Sequence, residues 1–201
     1  MATRSVKMSD AVTAKLNDLA KKMRGTVSVG FIDSDQAPIA FWNEYGHKGP
    51  FPAPPRPFFR TMVSSESPKW PGMMASQISA TNIMEGSNIA TKADGKKILR
   101  FMGEEIEGKL KQSIIDFSGE PLSPVSLLLR SQFWSNPEDI RARDVLAAQE
   151  LIKEGYGVGI LLPGKRLGRS KKAAPMVSFT QAKPLVWTGD LLNSTSYKVS
   201  Q

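Results

Sequence analysis

The chain has 201 residues, 40% of them hydrophobic, which suits one core-forming domain, with or without a sizeable insertion, and argues against wholesale disorder. It holds no cysteine and one histidine, His47, which removes disulfides, Cys nucleophiles, thiolate metal sites and multi-histidine metal sites and leaves little room for His-based catalysis. With 27 Lys and Arg against 19 Asp and Glu the formal charge is +8 and the pI about 9.7, so binding and structural roles stay open while most enzyme classes lose support.

The first eight residues contain no apolar stretch of the signal-peptide kind, and no run approaches the roughly 18 apolar residues that span a bilayer. This predicts a protein made in the cytosol that enters no membrane. Residues 9–24 follow helical spacing, with Val12, Leu16, Leu19 and Met23 on one stripe, Ser9 as cap and Gly25 as stop. Residues 26–32 alternate as a strand does, with Val27, Val29 and Phe31 on one face, and Asp33 to Asp35 form a turn. Helical spacing returns over 37–45 through Ile39, Ala40, Phe41 and Trp42, and Gly46 ends it.

Residues 46–57 hold two glycines and five prolines, which break every period and predict an ordered extended loop. Here Glu44 and Arg56 flank the loop, and an Arg fork on the carboxylate is expected to clamp it to the preceding helix. His47 lacks a positioned nucleophile and reads as an exposed loop histidine. A helix is expected from Phe58 to Val63, interrupted by Pro68 and Pro71, and 73–93 fits no single period.

Residues 94–117 give the strongest helical pattern. Ile98, Met102, Ile106, Leu110 and Ile114 recur every fourth position, joined by Leu99, Phe101, Ile115 and Phe117, with Asp94 as cap. Ser123-Pro124 predicts a capped helix start leading into Leu127 to Leu129, and Asn136-Pro137-Glu138-Asp139 predicts another, over 137–154, stopped by Gly155. Gly159 to Lys165 matches the spacing of a phosphate loop. The next residue is Arg166 where Ser or Thr would hold magnesium, and the intervening residues are bulky, so no nucleotide site is expected.

Residues 163–175 read as a mobile basic loop. Its Lys165, Arg166, Arg169, Lys171 and Lys172 supply five of the eight net positive charges with no acid among them. They could contact phosphates or an acidic protein partner; no aromatic interleaves them to stack on bases. The chain closes with a Thr188-Gly189-Asp190 turn, a short element at Leu191-Leu192 and a strand over 195–199.

Three stretches combine into a family resemblance. A strand followed by Ile39-Ala40-Phe41-Trp42-Asn43-Glu44-Tyr45-Gly46 comes first. Pro54-Pro55-Arg56-Pro57-Phe58-Phe59-Arg60 is second. Third is Lys183-Pro184-Leu185-Val186-Trp187-Thr188-Gly189-Asp190-Leu191-Leu192-Asn193-Ser194, with Pro121-Leu122-Ser123 ahead of it. In that order they resemble the tail-completion (neck, head–tail joining) proteins of long-tailed bacteriophages, over about a third of the chain. Here the loop before Arg56 is longer and richer in proline than the family pattern, and residues 131–182 separate two segments that usually lie close.

The resemblance implies a non-catalytic virion protein without cofactor or metal. It implies a ring of copies, commonly sixfold, between the head connector, adaptor or stopper and the tail terminator or tail tube, with DNA passing through without sequence-specific binding. Asn43, Glu44, Tyr45, Gly46, Arg56, Pro57, Phe58, Phe59, Thr188, Gly189 and Leu191 are the motif residues it marks as interface or structural. Phe51, Phe58, Phe59 and Trp70 are candidate interface or core aromatics. The alternative reading is a DNA-binding protein using residues 165–172. The expected fold is α+β: a single domain with a small antiparallel or mixed sheet, holding 27–32 and the C-terminal strand, packed against long helices. Residues 131–182 form a helical and loop insertion before the last strand.

Overall fold

The computed structural model describes residues 24–49, 52–80, 92–119, 121–157, 159–161, 176–178, 183–186 and 189–200, together with Thr13, Ala14, Asn17, Ala20 and Lys21. Those last five residues are all helical, in line with the helix expected over 9–24. Strand β1, Thr26–Gly30, pairs antiparallel with the last strand, β4, Ser196–Ser200, in a register that sets Val27 opposite Val199 and Val29 opposite Tyr197. The alternation read from sequence thus selects the face: Thr26, Ser28, Lys198 and Ser200 are exposed, while Val27, Val29, Tyr197 and Val199 are half-buried. A two-stranded ribbon is marginal alone. This one lies against helix α4, Lys92–Asp116, which contacts both strands. The fold is α+β with long helices, as expected.

Helix α1, Ala37–Tyr45, has the bounds read from its pattern and ends at Gly46, whose φ is +73°. Helix α2, Phe58–Glu66, runs on through a 3-10 turn, Ser67–Lys69, into helix α3, Trp70–Ala80. The interruption expected at Pro68 and Pro71 is present: the α-helix stops at Glu66, Pro68 lies in the 3-10 turn and Pro71 in the first turn of the next helix. Each proline stands second in its element, where the missing N–H would have no helical partner anyway. Helix α4 begins before Asp94, which lies inside its first turn rather than at the cap. Its apolar stripe is the spine of the domain: Ile98, Met102, Leu110 and Ile114 are buried. Leu110 and Ile114 pack with Phe58, Met62, Ala40, Leu185 and Leu191, and Phe31 meets Phe58 edge-on at 6.2 Å.

The segment after α4 builds a second, smaller core. Helix α5, Pro124–Phe133, is capped as read: Ser123 Oγ accepts the Ser126 N–H at 3.1 Å. Residues Pro137–Asp139 form only a 3-10 turn, and Ile140 is extended, so the helix expected from 137 begins five residues later as α6, Ala142–Lys153. There the Asp144 carboxylate accepts the Arg141 N–H at 2.8 Å, closing the first turn with an acid where the helix dipole favours one. Leu128, Leu129 and Ala148 join the two helices, with Val125, Phe133, Val145 and Leu151 around them. Two short strands, β2, Gly159–Leu161, and β3, Met176–Ser178, pair in parallel, and helix α7, Asp190–Asn193, precedes β4. Ser123→Ala is expected to lower stability by about 1 kcal/mol, read as a denaturant midpoint. No shift would show that the prolyl start alone fixes α5.

Candidate functional site

The first two motif stretches meet at the junction of α1 and α2. Pro57 holds the N-cap position of α2 and has no polar side chain to receive the free N–H groups of the first turn. Glu44 supplies the acceptor from the last turn of α1. The residue is 5% exposed, and its carboxylate accepts the Phe59 N–H at 2.9 Å, the Arg60 N–H at 3.1 Å and Arg60 Nε at 2.7 Å. Arg60 Nη2 also donates to the Glu44 carbonyl at 3.1 Å. The carboxylate is thus a cap delivered from another helix, in the orientation that the α2 dipole favours.

This corrects the expected clamp. Glu44 pairs with Arg60 and not with Arg56. The Arg56 backbone N–H donates to the Asn43 carbonyl at 2.6 Å, its Nη1 reaches Asn43 Oδ1 at 3.5 Å, and its side chain turns inward, 7% exposed. The loop is nevertheless tied down. His47 and Ala53 exchange backbone hydrogen bonds at 3.0 and 3.1 Å across the base of the proline segment. Gly46 makes that closure possible: a Cβ there would stand 2.8 Å from Ala53 O and 2.9 Å from Pro55 N, with φ in the left-handed region.

Above this clamp α1 presents a bare aromatic face. Phe41, Trp42 and Tyr45 are 59, 53 and 53% exposed, and Ile39 is exposed beside them. They are mutually held: Phe41 and Tyr45 rings lie 4.8 Å apart, Arg60 stacks over Tyr45 at 4.8 Å, and Trp42 lies 6.2 Å from His47. Of the candidate interface aromatics named from sequence, Tyr45 lies on this face and the others fall elsewhere. Phe58 is buried core at 1% exposure, Phe59 and Trp70 are half-buried, and Phe51 lies outside the described residues.

The third stretch reaches the same region from the far end of the chain. Arg130, on α5 and 5% exposed, holds it with Nη1 on the Lys183 carbonyl at 2.6 Å and Nη2 on the Pro184 carbonyl at 3.2 Å. Burial, and secondly the nearby Arg56 charge, push the Arg130 guanidinium down to about 10, so it remains protonated at neutral pH. Lys183 Nζ donates to the Ile115 carbonyl at 2.7 Å, next to the C-terminal end of α4 where a cation is favoured. Gly189 (φ +83°) turns the chain into α7, and Leu191 enters the main core. Thr188 and the basic residues Lys165, Arg166, Arg169, Lys171 and Lys172 lie outside the described residues.

Asn43, Arg56, Leu122, Ser123, Pro184, Leu185, Gly189 and Leu191 therefore line one cleft of about 690 Å³, to which α5 and α6 add Val125, Leu129, Arg130, Val145 and Gln149. Arg60, Arg130 and Lys183 were not singled out from sequence as functional. The available signals were a cation in the first turn of α2, against the helix dipole, and an arginine directly after three leucines on α5. Among the described residues no group of three or more His, Asp or Glu side chains is placed to hold a metal ion, and no helix is long and apolar enough to cross a membrane. Compared with family models, curated proteins and solved structures, the chain matches none.

Proposed function

We propose that the chain is a structural protein of a bacteriophage neck, assembling as a ring between the head connector and the tail and leaving a channel for DNA. The observation that carries this reading is the aromatic face of α1. Exposed apolar patches of this kind mark protein interfaces, and Phe, Tyr, Trp and Arg are the residues enriched there. The Glu44 cap and the Arg60 stack hold Tyr45 in place before any partner arrives, which reduces the ordering cost of association. Ring closure needs a patch that meets a different surface of the next copy, and a face confined to one helix suits such head-to-tail contact. The motif residues of the resemblance support the same reading, since they converge in space although they are spread along the chain. In the ring, the head-side neighbour is a connector, adaptor or stopper protein and the tail-side neighbour a terminator or tube protein.

Electron microscopy and sedimentation of the purified protein, alone and with its neighbours, test the proposal. Wild type is expected to form rings, commonly sixfold. Trp42→Glu with Tyr45→Glu is expected to weaken assembly by about a hundredfold, as loss of interface anchors does, with the melting temperature unchanged. A strict monomer in isolation and in virions sinks the reading. Rings that persist in the double variant would move the interface away from α1.

A further inference from the structure

We propose that the aromatic face of α1 meets, on a second copy of the chain, the outer surface of α6 around Leu146 and Tyr156. The choice of a second copy as occupant rests on the ring reading; what is added is the other half of the contact. Among the described residues the exposed large hydrophobic side chains fall in two places: Ile39, Phe41, Trp42 and Tyr45 on α1, and Leu146 and Tyr156 on and just after α6. A closed head-to-tail ring needs two different patches on every copy, one for each neighbour. Leu146 and Tyr156 belong to residues 131–182, which separate two of the motif segments. That insertion thereby gains a role, to carry the receiving half of the contact.

Position keeps the two patches apart within one chain. Both helices border the cleft, α1 through Ile39 and Asn43 and α6 through Val145 and Gln149. At about 100° per residue, Phe41 and Tyr45 lie about 200° round α1 from those positions, and Leu146 about 100° round α6 from Val145. Each patch thus turns away from the cleft that the helices share, and the two can join only through another molecule. Both are also fixed before contact. After α6 the Tyr156 N–H donates to the Leu151 carbonyl at 3.0 Å and the Gly155 N–H to the Ile152 carbonyl at 3.1 Å, with Gly155 at φ +89°, so the turn that presents Tyr156 is a closed helix end.

Shape and charge favour α6 over a second α1 face as the partner surface. Phe41 and Tyr45, with Phe31, Phe59 and Arg60, line a groove of about 350 Å³. That is the small end of the range of about 300–1,000 Å³ for clefts that hold a ligand. It has room for one large anchoring side chain, and Tyr156 supplies an aromatic ring with a phenol oxygen that Arg60 can meet. From Ala37 to Lys48 the one acid is Glu44, which is buried, whereas Lys48 and Arg60 are exposed beside the aromatics. Two α1 faces brought together would therefore oppose like charges. The α6 surface is mixed: Glu150, one turn past Leu146, and Glu154, two residues before Tyr156, are exposed alongside Arg143 and Lys153. Acids are thus at hand to meet the α1 cations.

The chain has no cysteine, so introduced thiols report one position each. Lys48→Cys and Glu154→Cys, both at exposed positions beside the patches, are made separately in the full-length protein and treated with a short bismaleimide. The expected result is a covalent dimer only when the two variants are mixed, and in the double variant a ladder that ends at the ring number. Leu146→Glu with Tyr156→Glu should weaken assembly by about a hundredfold, as loss of anchors does, at an unchanged melting temperature because both side chains are more than half exposed. Mixed with Trp42→Glu, Tyr45→Glu protein, it should regain a one-to-one dimer, since each such pair keeps one intact contact. A covalent dimer from Lys48→Cys alone would give the α1 face to a twofold contact and overturn the proposal. So would a mixture that does not link, or assembly that ignores the Leu146 and Tyr156 changes. Rings that form without the mixed link leave the neck reading standing and sink this contact alone. Mixed links that grow into open chains keep the contact and sink the ring.

Discussion

Glu44→Ala is expected to destabilise the protein by about 3 kcal/mol, the scale for removing one partner of a buried, hydrogen-bonded charge. The side chain is 7% exposed, and its loss strands the Phe59 and Arg60 N–H groups at the start of α2 as well as the Arg60 guanidinium. Arg60→Ala should cost about 1 kcal/mol or less, because its side chain is 53% exposed and the capping bonds to the backbone survive. Glu44→Gln should fall between the two, keeping an acceptor but not the charge. Denaturant midpoints order the three variants. Equal losses for Glu44→Ala and Arg60→Ala would mean that the ion pair, not the cap, fixes the junction.

That comparison also separates stability from assembly. Arg60→Ala removes the guanidinium stacked over Tyr45 at little cost in folding, so any effect it has on ring formation reports on the aromatic face itself. If the face is the ring contact, this variant should assemble more weakly while unfolding at nearly the same midpoint.

The parts of the fold legible in sequence were those set by local chemistry. The bounds of α1, the stripe of α4, the Ser123 cap and the alternation of β1 each follow from spacing and from one or two terminal residues. The break at Pro68 and Pro71 was legible because proline is forbidden in a helix interior but tolerated in a first turn; that a new helix follows at once was not. The start expected at Pro137 shifted to Ala142 because Asp144 offers a better acceptor to the Arg141 N–H than the earlier acids offer to theirs. The candidate site divides in the same way. Glu44 and Gly46 stood out as residues, one an acid in an apolar helix and the other a stop. The partner of Glu44 did not, since Arg56 and Arg60 flank the same proline and only the turn of α2 decides which one faces the carboxylate. Equally, apolar spacing in α1 could not say which flank would find a cover. Ala40 is buried under Phe58 and Leu191 while Phe41, Trp42 and Tyr45 remain bare.

Gly103→Ala should destabilise the protein, although alanine is the better helix former by about 1 kcal/mol. Gly103 is buried in the middle of α4, and a Cβ there would come within 2.7 Å of Tyr197 Cγ and 2.9 Å of its Cε2. The ring cannot simply rotate away. Tyr197 sits in β4 opposite Val29, and its hydroxyl donates to Glu104 at 2.9 Å, one residue beyond the glycine. That hydrogen bond, more than burial, raises the phenol above the usual tyrosine value. Overpacking of a rigid contact costs about 1–3 kcal/mol; at the upper end of that range, less the helix-propensity gain of about 1 kcal/mol, a net loss of about 2 kcal/mol is expected. Tyr197→Ala removes the obstacle, and in that background Gly103→Ala should become stabilising by about 1 kcal/mol, the helix-propensity gain alone. The sign reversal is the signature. A double-mutant cycle should then return a coupling of about 3 kcal/mol, at the upper end for residues in direct contact. Additive effects would mean that β4 moves off α4 to admit a methyl group. The ribbon would then be held less firmly than its register suggests, which hydrogen exchange at Tyr197 and Lys198 would reveal directly.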